Sequence, residues 1–89
     1  MNLSDVLRYE LIGLDVEIVE SKNKILEGLK GKIIDESKNM LVLEVGNKTK
    51  KIIKSQVKLK MIINKRKFII DGKLLVGRPE ERLKKRIKV

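Results

Sequence analysis

From Leu14 onward the apolar residues return at every second position, in runs too short for anything but strands. The clearest run spans residues 57–63. Val57, Leu59, Met61 and Ile63 fall on one face, and Lys58 and Lys60 on the other. Residues 15–20 alternate in the same way, turning Val16 and Ile18 toward a core. Further short runs occupy 32–36, 40–45, 51–54 and 67–70. Polar turn residues separate them: 21–24, Ser37-Lys38-Asn39, Gly46-Asn47, Asn64-Lys65 and Asp71-Gly72. Gly28 and Gly31 flank a turn into the strand at 32–36. About six short strands at roughly ten-residue spacing favour an all-β fold over a βαβ arrangement. In 89 residues two full sheets are hard to fill, whereas a small, strongly bent antiparallel barrel closes with few residues.

The two ends have a different pattern. Ser4 is a candidate N-cap with Asp5 in the first turn, and Leu3, Leu7 and Leu11 recur every fourth residue until Gly13. This predicts a short helix within residues 1–13, before a barrel at 14–76. Residues 77–89 predict a second, basic helix. Pro79 suits its first position, Glu80 and Glu81 its first turn, and Lys84, Lys85 and Arg86 its last. The whole chain reads as a single domain.

Charge narrows the function. Lys and Arg number 22 against 12 Asp and Glu, a net charge of +10. So strong a field on so small a body attracts polyanions. No apolar run approaches the roughly 20 residues of a membrane span, and the first residues do not read as a signal peptide. No membrane role and a cytoplasmic location are therefore expected. Cysteine and histidine are absent, which removes disulfides, thiolate metal sites and the commonest general base. The acidic residues are scattered, and Asp35 and Glu36 are expected at a solvated strand end, on opposite faces. No catalytic residue, no metal site and no bound cofactor are expected. The Lys- and Ile-rich, Ala-free composition suits a hot habitat.

Nucleic acid is the remaining partner class. Phe68 lies in a strand run with Ile69 and Ile70 and is expected in the core, which leaves Tyr9 as the other aromatic residue. Base stacking on an aromatic sheet is thus disfavoured, and recognition of RNA backbone and shape is favoured. The dense basic groups are 48–54, including Lys48, Lys50 and Lys51, and 78–86, including Arg78, Arg82, Lys84, Lys85 and Arg86. Lys58, Lys60 and Lys65 read equally well as solubility and edge protection.

Three stretches resemble archaeal ribonuclease P protein component 1. They are the segment from Tyr9 to Leu14, the segment from Gly28 to Leu41 with its Gly-x-x-Gly-x-aliphatic-x-Asp-Glu pattern, and the segment from Asp71 to Leu83 with Gly77-Arg78-Pro79-Glu80. The resemblance implies an Sm-like barrel with helical extensions at both ends. It implies a subunit of the ribonucleoprotein that removes the 5′ leader from precursor tRNA, with catalysis in the RNA and Mg²⁺ held there. The implied partners are the ribonuclease P RNA, a zinc-ribbon protein subunit, other ribonuclease P proteins and, indirectly, precursor tRNA. The protein-binding surface carried over is Leu7, Glu10, Leu11, Lys32 and Ile34. The RNA side adds Lys22 and Lys24 to Lys50, Arg78, Arg82, Lys85 and Arg86. A ring-forming Sm-like RNA chaperone, a ribosomal or chromatin-type small barrel and an independent nuclease are the alternatives. Coverage of a sheet edge by the terminal helices argues against a ring and for a monomer in isolation.

Overall fold

A computed structural model of the chain describes residues 10–77. The helices expected within 1–13 and 77–89 fall on or run into residues outside that span. The described residues form six strands: β1 (Asp15–Ser21), β2 (Lys30–Glu36), β3 (Met40–Val45), β4 (Lys48–Ile53), β5 (Val57–Ile63) and β6 (Arg66–Asp71). Three short 3-10 turns join them, at Lys24–Leu26, Lys54–Gln56 and Gly72–Leu75. All pairings are antiparallel, in the spatial order β4-β3-β2-β1-β5-β6.

The sheet bends until its two outermost strands share one core: Ile52 of β4 and Ile70 of β6 belong to the same buried cluster as Ile18, Ile33, Leu43 and Leu59. Each fully buried Leu, Ile or Met contributes about 1.5–3 kcal/mol. Two register shifts help the bending, between Ile18 and Glu20 in β1 and between Ile33 and Asp35 in β2. Gly31 lies inside β2, not in a turn before it. A Cβ there would stand 2.6 Å from the Glu44 carbonyl oxygen, so β2 and β3 need glycine to approach this closely.

Two hairpins close on two-residue turns. Asn64 and Lys65 both take positive φ, 52° and 66°, which is the type I′ geometry that matches strand twist. Gly46, at φ 60°, opens the turn between Val45 and Lys48. Strand β4 therefore starts at Lys48, three residues before the run expected at 51–54. Phe68 is half-buried against the core.

The largest departure concerns Glu36 and Lys54. Counted strictly by twos from Ile33, Glu36 falls on the outer face. The irregularity at Ile34 resets the count and turns Glu36 inward, so it is no solvated strand end. Lys54 leaves β4 for a 3-10 turn and is fully buried. Its Nζ donates to Glu36 Oε2 at 2.7 Å and to the carbonyl oxygens of Ser37, Gly77 and Lys38 at 2.8, 3.0 and 3.3 Å. Lys54 thus belongs to the interior, not to the surface group 48–54.

Candidate nucleic-acid interface

The exposed lysines fall into separate settings. On β4, Lys50 lies opposite Leu43 and Lys51 opposite Val42, so these two project from opposite faces of the strand, and Lys48 shares a side with Lys50. β4 ends the sheet, and all three lysines are exposed. The β3–β4 hairpin therefore carries positive charge on both faces along the outermost strand of the described sheet.

Lys22 and Lys24 stand in the loop after β1. That loop is tightly bonded. Asn23 Oδ1 accepts the Ile25 N–H, Ser21 Oγ accepts the Asn23 N–H, and Glu27 Oε2 accepts the Ser21 N–H at 3.1 Å. The Lys22 N–H reaches the Gln56 carbonyl at 3.0 Å and so ties the loop to the turn at Lys54–Gln56. Lys22 and Lys24 there border a groove of about 260 Å³, together with Ser55, Gln56, Lys58 and Lys73. Lys58, Lys73, Ser55 and Gln56 had no distinguishing signal in the sequence as neighbours of Lys22, because segments about 30 and 50 residues apart form this wall.

Charge pairing separates the lysines further. Lys58 sits 3.4 Å from Glu20 and Lys60 3.1 Å from Glu17, across the β1–β5 pairing. The Lys60 ammonium holds the Glu17 carboxyl below its usual range. Lys24 pairs with Glu27 at 3.2 Å. The Ser21 N–H, and after it the Lys24 ammonium, lowers the Glu27 pKa. Among the described residues, Lys22, Lys48, Lys50, Lys51 and Lys73 make no ion pair. Arg78, Arg82, Lys84, Lys85 and Arg86 lie outside the described residues.

The set carried over for protein binding divides. Lys32 and Ile34 are exposed on β2, and Glu10 is exposed. The Gly13 N–H donates to the Ile33 carbonyl, and the Ile33 N–H donates to the Leu14 carbonyl, so the segment leading from Glu10 runs along β2 beside them. Leu11 is a correction: it is fully buried in the core and offers no surface. Leu7 lies outside the described residues. Among the described residues no group of three or more acidic side chains is placed to hold a metal ion, and no helix is long and apolar enough to cross a membrane.

Comparison with known proteins gives consistent matches. A family described as ribonuclease P/MRP, subunit p29, matches residues 4–85. Ribonuclease P protein component 1 of Methanocaldococcus jannaschii is 50% identical over 86 residues, covering 96% of this chain and 90% of the relative. The protein of the same description from Methanococcus aeolicus is 46% identical over 86 residues, covering 94% and 90%. That from Thermofilum pendens is 45% identical over 85 residues, covering 93% and 90%. These relatives are archaeal. A solved homologue of the human RNase P protein Rpp29 aligns with a TM-score of 0.60 and 34% identity, over 83% of this chain and 97% of that one.

Proposed function

The chain belongs to the ribonuclease P/MRP subunit p29 family and is a protein subunit of ribonuclease P, the tRNA-processing ribonucleoprotein, and from that premise we propose that it binds the RNA of the complex and lowers the repulsion between that RNA's phosphates. The observation that supports this is the uneven pairing of its lysines. Lys58 and Lys60 are matched by carboxylates and Lys54 is buried, whereas Lys48, Lys50 and Lys51 stand exposed and unpaired along an open strand. Unpaired cations on a polyanion release counterions, and this favours a folded RNA without reading its sequence. Among the described residues the interface offers hydrogen-bond donors and charge but no aromatic platform, which suits backbone recognition.

Hydrolysis in this reading belongs to the RNA and its Mg²⁺, and the chain holds no cofactor of its own. Its acidic groups serve the fold: Glu36 holds Lys54, Glu17 holds Lys60 and Glu27 braces a loop. A zinc-ribbon protein subunit would dock where Glu10, Lys32 and Ile34 are exposed beside β2, with Leu7 extending that surface and the other ribonuclease P proteins and precursor tRNA reached through the assembly. The complex would act in the cytoplasm. The cations of Arg78, Arg82, Lys84, Lys85 and Arg86 would add to RNA binding. Reconstitution tests the role. Ribonuclease P RNA should cleave precursor tRNA at markedly lower Mg²⁺ or salt when this protein is added with its partner subunits than when it is omitted. An unchanged ionic requirement would contradict the proposal.

A further inference from the structure

We propose that the groove formed by the loop after β1 and the turns at Lys54–Gln56 and Gly72–Leu75 is a cradle for a short stretch of RNA sugar–phosphate backbone, with Lys22 and Lys73 as its phosphate ligands. The inference rests on the RNA-binding reading above and places one contact of that reading at a defined spot, beside the turn that follows β4.

Three segments distant in sequence meet here, joined by a backbone bond, side-chain bonds and one close backbone approach. The Lys22 N–H to Gln56 carbonyl bond fixes the loop to the middle turn. The buried Ser21 and the Glu27 carboxylate keep that loop in one shape. The third turn approaches because residue 72 is glycine. A Cβ there would lie 1.9 Å from the Lys54 carbonyl oxygen. Asp71 Oδ1 then accepts the Lys73 N–H at 3.0 Å and opens the turn that carries Lys73 to the groove.

The chemistry selects the ligand. Ser55 and Gln56 offer neutral polar side chains between the cations, the groups that contact phosphate and ribose oxygens in nucleic-acid complexes. No aromatic side chain lines the groove, so a base has nothing to stack on. Two carboxylates share its wall: Glu20 is paired with Lys58, and Asp71 keeps its charge while accepting the Lys73 N–H, so four lysines outweigh two acids there. Glu27, behind the loop, is engaged by Lys24. Lys22 and Lys73 remain without an acidic partner among the described residues and free to meet phosphate.

The test compares three proteins in binding full-length ribonuclease P RNA across a salt series: wild type, Lys22→Ala/Lys73→Ala, and Lys65→Gly at the far end of the β5–β6 hairpin. The double variant should bind roughly tenfold more weakly at low salt, with the logarithmic salt slope shallower by about 1.4–1.8. Lys65→Gly should match wild type. Amide resonances of Lys22 and Gln56 in the wild-type protein should shift on RNA addition. If the double variant keeps wild-type affinity and slope while Lys48→Ala/Lys50→Ala/Lys51→Ala loses both, the cradle is wrong and RNA binding stands. If wild type itself binds no ribonuclease P RNA, the underlying reading fails and the cradle with it.

Discussion

Lys50 and Lys51 on β4 and Lys54 in the turn that follows are the same residue type within five positions, yet they occupy opposite environments. The first two are open to water on a sheet edge, one on each face. Lys54 is sealed from solvent against Glu36 and three carbonyl oxygens. The difference teaches that local charge density does not separate a ligand for phosphate from a strut of the fold. What separates them is where the strand ends and whether a facing element has turned a carboxylate inward. An ammonium taken from water costs several kcal/mol unless its donors are met, and here the opposing strand and the chain at Gly77 meet them.

Lys54→Ala gives the largest effect, because it takes a buried ammonium away from the Glu36 carboxylate and from the carbonyl oxygens of Ser37 and Gly77. Stability in urea should fall by about 3–5 kcal/mol. Pairing Lys54→Met with Glu36→Leu should recover part of that loss but not exceed wild type, since the carbonyl oxygens of Ser37 and Gly77 lose the ammonium that donates to them, while that of Lys38 keeps the Gly77 N–H. A loss under about 1 kcal/mol for Lys54→Ala would erase the contrast with β4. Gly72→Ala comes next. The added methyl meets backbone rather than a yielding side chain, and thermal unfolding should show about 1–3 kcal/mol of destabilisation. Lys50→Ala and Lys51→Ala should each leave stability within about 0.5 kcal/mol in the same assay, the other half of the comparison.

The smallest effect is on pH dependence. The Glu27 carboxyl titrates below its ordinary 4.5 because the Ser21 N–H and Lys24 favour its charged form. Its contribution is therefore present above that ordinary value and is lost as pH falls through the lower, folded value. Denaturation profiles of Glu27→Gln should be less stable than wild type at neutral pH and converge with it in acid. A gap that widened in acid would contradict the assignment.

Much of this was legible in the residues themselves. The alternation from Val57 to Ile63 gave β5 and its inward set without error, and Asn64-Lys65 marked a two-residue turn whose positive φ values the structure bears out. Six strands in one antiparallel sheet follow from the same period and spacing. The illegible parts share one cause, which is contact between distant segments. The irregularity at Ile34 breaks the period of two inside β2, so Glu36 could not be assigned to the interior by counting. Gly31 resembled turn chemistry because its actual reason, close approach to Glu44, lies on another strand. The family resemblance implies Leu11 on a partner surface, whereas its apolar spacing with Leu3 and Leu7 fits the buried place it takes in the core. Lys73 drew no attention beside the denser basic groups, and only the seating of Gly72 against Lys54 brings it to Lys22.

The central claim is that the open lysines of β4 neutralise RNA phosphates while the buried one does not. It is tested most directly by the salt dependence of binding to ribonuclease P RNA for wild type and Lys48→Ala/Lys50→Ala/Lys51→Ala, both confirmed as folded. The account predicts a logarithmic slope shallower by about 2–3 in the triple variant, with weaker binding at low salt. Superimposable salt curves for the two proteins would contradict it.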